Sequence, residues 1–287
     1  MKTGLTVVAN LDRSSVSWAN TFCGAVVSSG ARVVSAAERV KSPVLYIGDS
    51  IDWDGGDYSR PTGYFLAAVD GTGQERRNVE QAQITTTVSR AEQTRAARLL
   101  GGDRVVVDGF PVDFTELQAV ADQGIRRLPS IGFIGRTDED KGPNLELLIA
   151  KRARTFGVKV MHASHIPIAR ASELTDAGVE VITPTSRKAY LGWLASVGCV
   201  INTSPRESLF VSGIEASYLG VPVVAPCVEE SGIEDWNHPD RYYDASSPDQ
   251  AVDLALELAG STRVDVPDVS RYGAQQYVRR VLEGLSS

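Results

Sequence analysis

Short apolar runs rich in β-branched residues recur along this chain, at Leu5–Ala9, Val44–Gly48, Val105–Val107, Ile131–Gly135, Val158–Met161, Val179–Ile182, Val200–Asn202 and Val221–Ala225. Longer stretches with helical spacing separate them. A strand of this length with no polar alternation is buried on both faces, and such strands belong to parallel sheets. Parallel neighbours cannot be joined by a hairpin, so the intervening segments must cross over as helices. The pattern therefore predicts an α/β protein with Rossmann-like parallel sheets.

Local signals mark several helix ends. Ser89-Arg-Ala-Glu92 reads as a capping box, and Gly101 after Leu99-Leu100 reads as its helix stop. Ser247-Pro248 opens another helix with proline in the first turn. Asp108-Gly-Phe-Pro-Val-Asp113 interrupts the alternation, which restarts near Leu128, so two sheets are expected with a boundary near 113–128. The first domain then spans 1–115 and the second 116–270. In the last segment Val278, Val281, Leu282 and Leu285 fall on one helical face, which needs a surface to cover it; the first domain, joined by about 271–287, is the expected place.

A length of 287 residues suits two medium domains, and 43% hydrophobic with 23% charged residues excludes a disordered or fibrous chain. Cys23, Cys199 and Cys227 form no C-x-x-C pair and read as buried thiols of a reducing compartment. The chain turns polar at Asn10 before any signal-length apolar run, and no stretch approaches 18 apolar residues. A cytoplasmic protein without a transmembrane segment is expected. The net charge is −7, yet residues 76–104 hold Arg76, Arg77, Arg90, Arg95, Arg98 and Arg104 against Glu80, Glu92 and Asp103, a locally basic stretch.

Two segments carry chemistry. In the first, a strand ends at Gly135-Arg136, passes an acidic turn and reaches Lys141-Gly142 at a helix start. Arginine chelates phosphate oxygens, lysine adds a point charge, and the helix N-terminus adds free N–H groups, so a diphosphate suits this element. The competing reading pairs Arg136 and Lys141 with Asp138, Glu139 and Asp140. In the second, Glu207 follows a strand ending in Ile201-Asn202-Thr203-Ser204-Pro205, and Glu215 lies on the next helix with seven residues between the two. Gly220-Val-Pro-Val-Val-Ala225 then runs from helix stop to buried strand. Ligands of open parallel sheets bind at the carboxyl ends of strands, where both glutamates would fall. The competing reading leaves Glu207 a solvated loop residue and Glu215 an exposed helix position.

Together these elements, with Ile84-Thr-Thr-Thr-Val-Ser89 and Val105–Asp113 before them, resemble retaining GT-B glycosyltransferases of the family 4 type, in that family's order from about Ile84 to Ala225. The resemblance implies a GT-B fold with the active cleft between two Rossmann-like domains. It also implies a hexosyl- or pentosyltransferase that moves a sugar from a nucleotide diphosphate donor to an acceptor hydroxyl with retention. By the same resemblance Arg136 and Lys141 hold the diphosphate, Glu207 meets the donor sugar and Glu215 the ribose. Further donor contacts are implied from Gly135, Gly142, Ser208, Leu209 and Phe210, and from Thr185 to the base. No metal and no cofactor beyond the nucleotide sugar co-substrate is implied; the acceptor would be a small molecule or glycan.

The chain also departs from that pattern. About 115 residues precede the linker, a shortened first domain. The glycine-rich loop after the first strand is replaced by Asn10-Leu-Asp-Arg13, which leaves Asn10, Asp12 and Arg13 as acceptor-side candidates. No first-domain histidine exists; His162, His165 and His238 read as structural or surface residues. Asp52-Trp53-Asp54, in the long loop Asp49–Gly63, matches the metal motif of the GT-A class, but that reading leaves the later elements unexplained. Two alternatives follow from the short first domain: an enzyme acting on modified DNA bases, served by the basic 76–104 stretch, or a non-catalytic nucleotide-sugar binding protein.

Overall fold

The computed structural model describes residues 4–9, 17–34, 43–47, 62–101, 105–107, 109–229, 231–261 and 265–286. The chain divides into two units, residues 1–114 with 270–287, and residues 115–269. Each contains a six-stranded sheet, and every pair of neighbouring strands is parallel.

The first unit runs β1 (Thr6–Ala9), α1 (Ser17–Ser28), β2 (Arg32–Val34), β3 (Val44–Ile47), β4 (Thr62–Leu66), α2 (Gly73–Gln81), β5 (Ile84–Thr87), α3 (Arg90–Leu100) and β6 (Val105–Val107), with strand order β2-β1-β3-β4-β5-β6. The second begins with α4 (Phe114–Ala121), which starts at the unit boundary. It continues through β7 (Ser130–Ile134), α5 (Pro143–Thr155), β8 (Lys159–Ala163), α6 (Ala171–Asp176), β9 (Val179–Ile182), α7 (Arg187–Ser196), β10 (Cys199–Ile201), α8 (Val211–Tyr218), β11 (Val223–Pro226), β12 (Tyr242–Tyr243) and α9 (Pro248–Gly260), with order β12-β11-β10-β7-β8-β9. The chain then returns to the first unit with α10 (Ala274–Ser286).

Apolar burial holds each unit. In the second, Ile131, Phe133, Val160, Val179 and Val224 of the sheet pack with Ile149 and Ala153 of α5 and Val252 and Ala255 of α9. In the first, Val8, Tyr64, Leu66 and Val105 pack with Val79 of α2 and Ala96 and Leu100 of α3. A second layer of that unit is aromatic: the Phe22 ring of α1 lies 4.7 Å from Phe65 of β4 and 5.5 Å from both Phe110 and Tyr277 of α10. Edge-on aromatic contacts of this kind add about 0.5–1.5 kcal/mol each beyond the area they bury. Val278, Val281 and Leu285 of α10 are buried beside them, so the apolar face of the last helix is covered within the first unit. Its entry is pinned by a parallel bridge between Val112 and Gly273.

Three strands were not anticipated from the sequence. Pro61 and Gly63 punctuate the sequence before Tyr64-Phe-Leu66 and read as loop, yet β4 begins at Thr62 and lies in the middle of its sheet. Strands β2 and β12 have three and two residues at sheet edges, too short to show a period. Cys227 is exposed, contrary to the reading of all three cysteines as buried. Burial pushes the Cys23 thiol up to about 11 and that of Cys199 to about 12. Among the described residues, no helix is long and apolar enough to cross a membrane.

The expected capping box at Ser89 is half made. Ser89 Oγ accepts from the Glu92 N–H at 3.2 Å, but the Glu92 carboxylate turns away and accepts from the buried Val69 N–H at 2.8 Å. The complete box belongs to α2, where Thr72 and Glu75 cap each other. Gly101 ends α3 in the left-handed conformation, φ 71°, as its position suggested. Ser89→Ala should therefore cost about 1 kcal/mol. Glu92→Ala should cost about 2 kcal/mol, because it orphans a buried backbone donor. Urea midpoints at unchanged slope measure both, and an undiminished midpoint in Glu92→Ala would show that the Val69 bond contributes nothing.

Candidate functional site

In the second sheet the strand order reverses between β7 and β10, so the loops leaving their carboxyl ends diverge and open a crevice. Those loops are residues 135–142 and 202–210, the two segments singled out by their chemistry. After β7 the chain passes Gly135, φ 111°, and forms a short 3₁₀ turn at Glu139–Lys141 that Gly142 closes at φ 66°; Pro143 then starts α5. Only glycine adopts the Gly135 and Gly142 conformations at little cost. At Gly142 a second reason applies: a Cβ there would collide with the Thr203 backbone carbonyl.

The two loops are tied together. Thr203 Oγ1 donates to the Lys141 carbonyl at 2.8 Å, and Lys141 Nζ reaches the Glu207 carboxylate at 3.2 Å. The loop after β10 is fixed from below, with Asn202 Oδ1 accepting from the Ser204 N–H at 2.9 Å and the Asn202 carbonyl accepting from Tyr243 Oη at 2.8 Å. Further on, Phe210 sits in the left-handed region at φ 63° and opens α8. Gly213, one turn into that helix, leaves the space that the Phe210 and Trp236 rings occupy.

Glu215 on α8 is only 2% exposed. Its carboxylate accepts from Arg187 Nη2 at 2.5 Å and from Tyr190 Oη at 3.4 Å, and Arg187 also reaches Glu116 at 3.2 Å. Burial disfavours the Arg187 charge, but the charge of Glu215 and its hydrogen bond outweigh this and hold the guanidinium firmly protonated. Burial, then the Glu215 charge, pushes the Tyr190 phenol well up.

Beneath the first loop lies His162 of β8, 1% exposed, with Nδ1 2.6 Å from Glu146 Oε1 and Nε2 2.8 Å from the Gly135 carbonyl. Burial lowers the imidazole pKa, but the Glu146 hydrogen bond and charge, with the Gly135 carbonyl, raise it more, and the net shift is upward. A shallow cleft of about 580 Å3 opens beside the start of α5, lined by Thr137, Gly142, Pro143, Asn144 and Arg170 among others.

No protein-family model and no curated protein sequence matches the chain. Solved structures do. The Anabaena Alr3699/HepE structure in complex with UDP and glucose superposes with TM-score 0.63 at 13% identity, over 99% of both chains. AviGT4, a glycosyltransferase involved in avilamycin A biosynthesis, gives 0.64 at 18% over 98% of this chain and 96% of that one. TarM gives 0.58 at 14% over 84% of this chain, which spans about half of its length, 51%. Likeness at these identities speaks to architecture. The chain has the GT-B fold.

Within this GT-B chain the site residues read from sequence fall as follows. Lys141, Gly142 and Glu207 come together across the switch point. Arg136 is half exposed and engages Asp138 at 2.6 Å and Asp140 at 3.1 Å, the neighbours of the competing reading. Glu215 is buried and ion-paired, so its reading as an exposed helix residue is set aside. Leu209 is buried and its carbonyl accepts from Trp236 Nε1 at 2.9 Å, while Ser208 is half-buried. Thr185 is exposed in the turn before α7, whose cap is Ser186. Asn10, Asp12 and Arg13, and likewise Asp52-Trp53-Asp54, lie outside the described residues.

Of the basic stretch, Arg76 and Arg95 direct guanidinium donors at the Leu99 and Val69 carbonyls of their own unit. Among the described residues no three His, Cys, Asp or Glu side chains are grouped to hold a metal ion. Sequence reasoning missed Arg187 and Tyr190 as partners of Glu215; the Arg187–Tyr190 spacing, i to i+3 on one helix, was the available signal.

Three outcomes follow. Gly142→Ala should destabilise the protein and disrupt the Lys141–Glu207 contact, which amide chemical shifts around both residues would report. Arg187→Ala should cost about 2 kcal/mol, less than for a fully buried pair because Arg187 is 36% exposed. Denaturant midpoints check it, and no loss would show that Glu215 finds another partner. The raised His162 pKa stabilises the fold fully below the usual value of 6.5 and loses that contribution as pH rises through the folded-state value. The stability advantage of the wild type over Glu146→Leu should thus shrink from about pH 6.5 upward. An advantage that grows over that range would reverse the assignment.

Proposed function

We propose that this protein is a glycosyltransferase that moves a sugar from a nucleotide diphosphate sugar, a UDP-sugar by its structural neighbours, to a hydroxyl of a sugar or glycan acceptor. The observation that carries the reading is the Lys141–Glu207 pair, set at the strand-order switch point of the second sheet, with the Arg187–Glu215 pair on the two helices that precede and follow β10. It has support from the solved structures with this fold, among them the Anabaena protein crystallised with UDP and glucose and, separately, with UDP-glucose.

In the reaction, the bond between the anomeric carbon and the β-phosphate oxygen breaks, and its electron pair leaves with the nucleoside diphosphate. The acceptor oxygen forms the new glycosidic bond, and its proton passes to the departing phosphate. Negative charge grows on that phosphate, and Lys141, tied to Glu207 across the two crevice loops, is the cation placed to meet it. Groups preorganised where charge develops are worth more than the same groups in water. Arg136, whose present partners are half-exposed aspartates, adds a second cation by exchanging them for phosphate oxygens. Glu207 orients the sugar hydroxyls and Glu215 the ribose; Gly135, Gly142 and the 208–210 backbone line the donor, and Thr185 lies toward the base. With two cations to balance the leaving group, we propose transfer without a divalent metal, and, by the resemblance of the two loop segments to retaining enzymes, with retention.

Lys141→Ala and Glu207→Gln should each lower kcat/KM for a UDP-sugar by about 10²–10³, with the melting temperature little changed. Product anomer by NMR tests retention, and turnover in EDTA tests metal independence. Undiminished turnover in both variants would defeat the assignment. UDP binding with no transfer to any acceptor would point to a nucleotide-sugar binding protein instead.

A further inference from the structure

We infer that His162 is a positioning residue of the donor site: its Nε2–H fixes the plane of the Gly135–Arg136 peptide and so presents the Arg136 amide N–H to the anionic part of the nucleotide. The inference rests on the donor-site reading above and adds to it a backbone donor and the buried pair that aims it.

A carbonyl oxygen only accepts, so the 2.8 Å contact with Gly135 requires the proton on Nε2 of His162. Nδ1 then shares a proton with Glu146 at 2.6 Å, which leaves the ring one orientation. His162 and Glu146 are both almost completely buried, so neither can exchange their shared bond for water. Glu146 lies in the first turns of α5, His162 near the end of β8, and Gly135 just past β7. The pair therefore references the loop to the two elements that frame it.

Gly135, at φ 111°, has more accessible conformations than any other residue type, and something must select one. The bond from His162 does so by drawing the carbonyl inward. No described peptide is cis, so N–H and C=O of the Gly135–Arg136 peptide point in opposite directions. With the carbonyl turned to the buried ring, the Arg136 N–H faces away from it, toward the exposed side of the loop on which the Arg136 side chain lies. Backbone donors held in this way serve anions without reorganisation.

Two substitutions separate this role from simple support of the core. Glutamine at 162 places an amide N–H near the Nε2 position, and asparagine places one near Nδ1. His162→Gln should keep the bond to Gly135 and bind UDP, measured calorimetrically, within about twofold of the wild type. His162→Asn should keep the link to Glu146 but lose the Gly135 bond, weakening UDP about tenfold and raising donor KM more than it lowers kcat. Glu146→Gln donates to Nδ1, leaves the proton on Nε2, and should retain UDP affinity even if His162→Asn does not fold. Wild-type affinity in a folded His162→Asn, equal loss in both His162 variants, or a tenfold loss in Glu146→Gln would each overturn the inference. A wild type that fails to bind UDP would instead overturn the donor-site reading on which it rests.

Discussion

The arrangement of the second unit depends on the approach of Gly142 to the Thr203 backbone. Residue 142 has no room for a side chain, because the loop leaving β10 passes directly against it. This contact joins segments about sixty residues apart in sequence at the one place where the strand order reverses. The Thr203 hydroxyl seals it by donating to the Lys141 carbonyl, and the Lys141 side chain then has a short path to Glu207. Close packing between rigid elements fixes these groups in advance of any ligand, which is what a binding constellation requires.

Charge is distributed accordingly. Both glutamates of the second segment carry a cation, Lys141 on Glu207 and Arg187 on Glu215, and the attraction in the second pair offsets the desolvation cost of burying Glu215. A carboxylate offers about four acceptor positions, so Arg187 and Tyr190 leave Glu215 capacity for hydroxyl donors of a sugar ring. Arg136 is the contrasting case. Its partners are exposed aspartates on its own loop, and exposed pairs of that kind contribute about 0–1 kcal/mol, so a phosphate can displace them readily.

The sheets were legible in the sequence because buried parallel strands leave short apolar runs without polar alternation, as at Ile131–Gly135 and Val221–Ala225. The two crevice loops were legible because glycine, charge and helix-start signals coincide at Gly135–Gly142. Short edge strands carry no period, and Pro61 and Gly63 disguised β4 as loop. Side-chain direction was harder to read. Glu92 sits where a capping box wants it, yet Val69, far away in sequence, claims its carboxylate. His162 and Glu146 look unrelated along the chain and meet only because α5 packs across β8. Pairings of this sort follow from tertiary proximity, which local spacing does not encode.

Phe210 shows how the fold sustains a costly local geometry next to Glu207. A bulky residue at positive φ costs of the order of 1–3 kcal/mol, and such strain persists only where its surroundings over-determine it. Here they do. The Leu209 carbonyl accepts from Trp236 Nε1, the Glu207 carbonyl accepts from the Gly232 N–H at 2.9 Å, and Gly213 leaves the space that both aromatic rings fill. With residues 207 and 209 anchored by their carbonyls to the 232–236 turn, the chain has no relaxed route into α8. It enters through a left-handed residue, while the Glu207 side chain, its carbonyl held by Gly232, reaches Lys141 across the crevice loops.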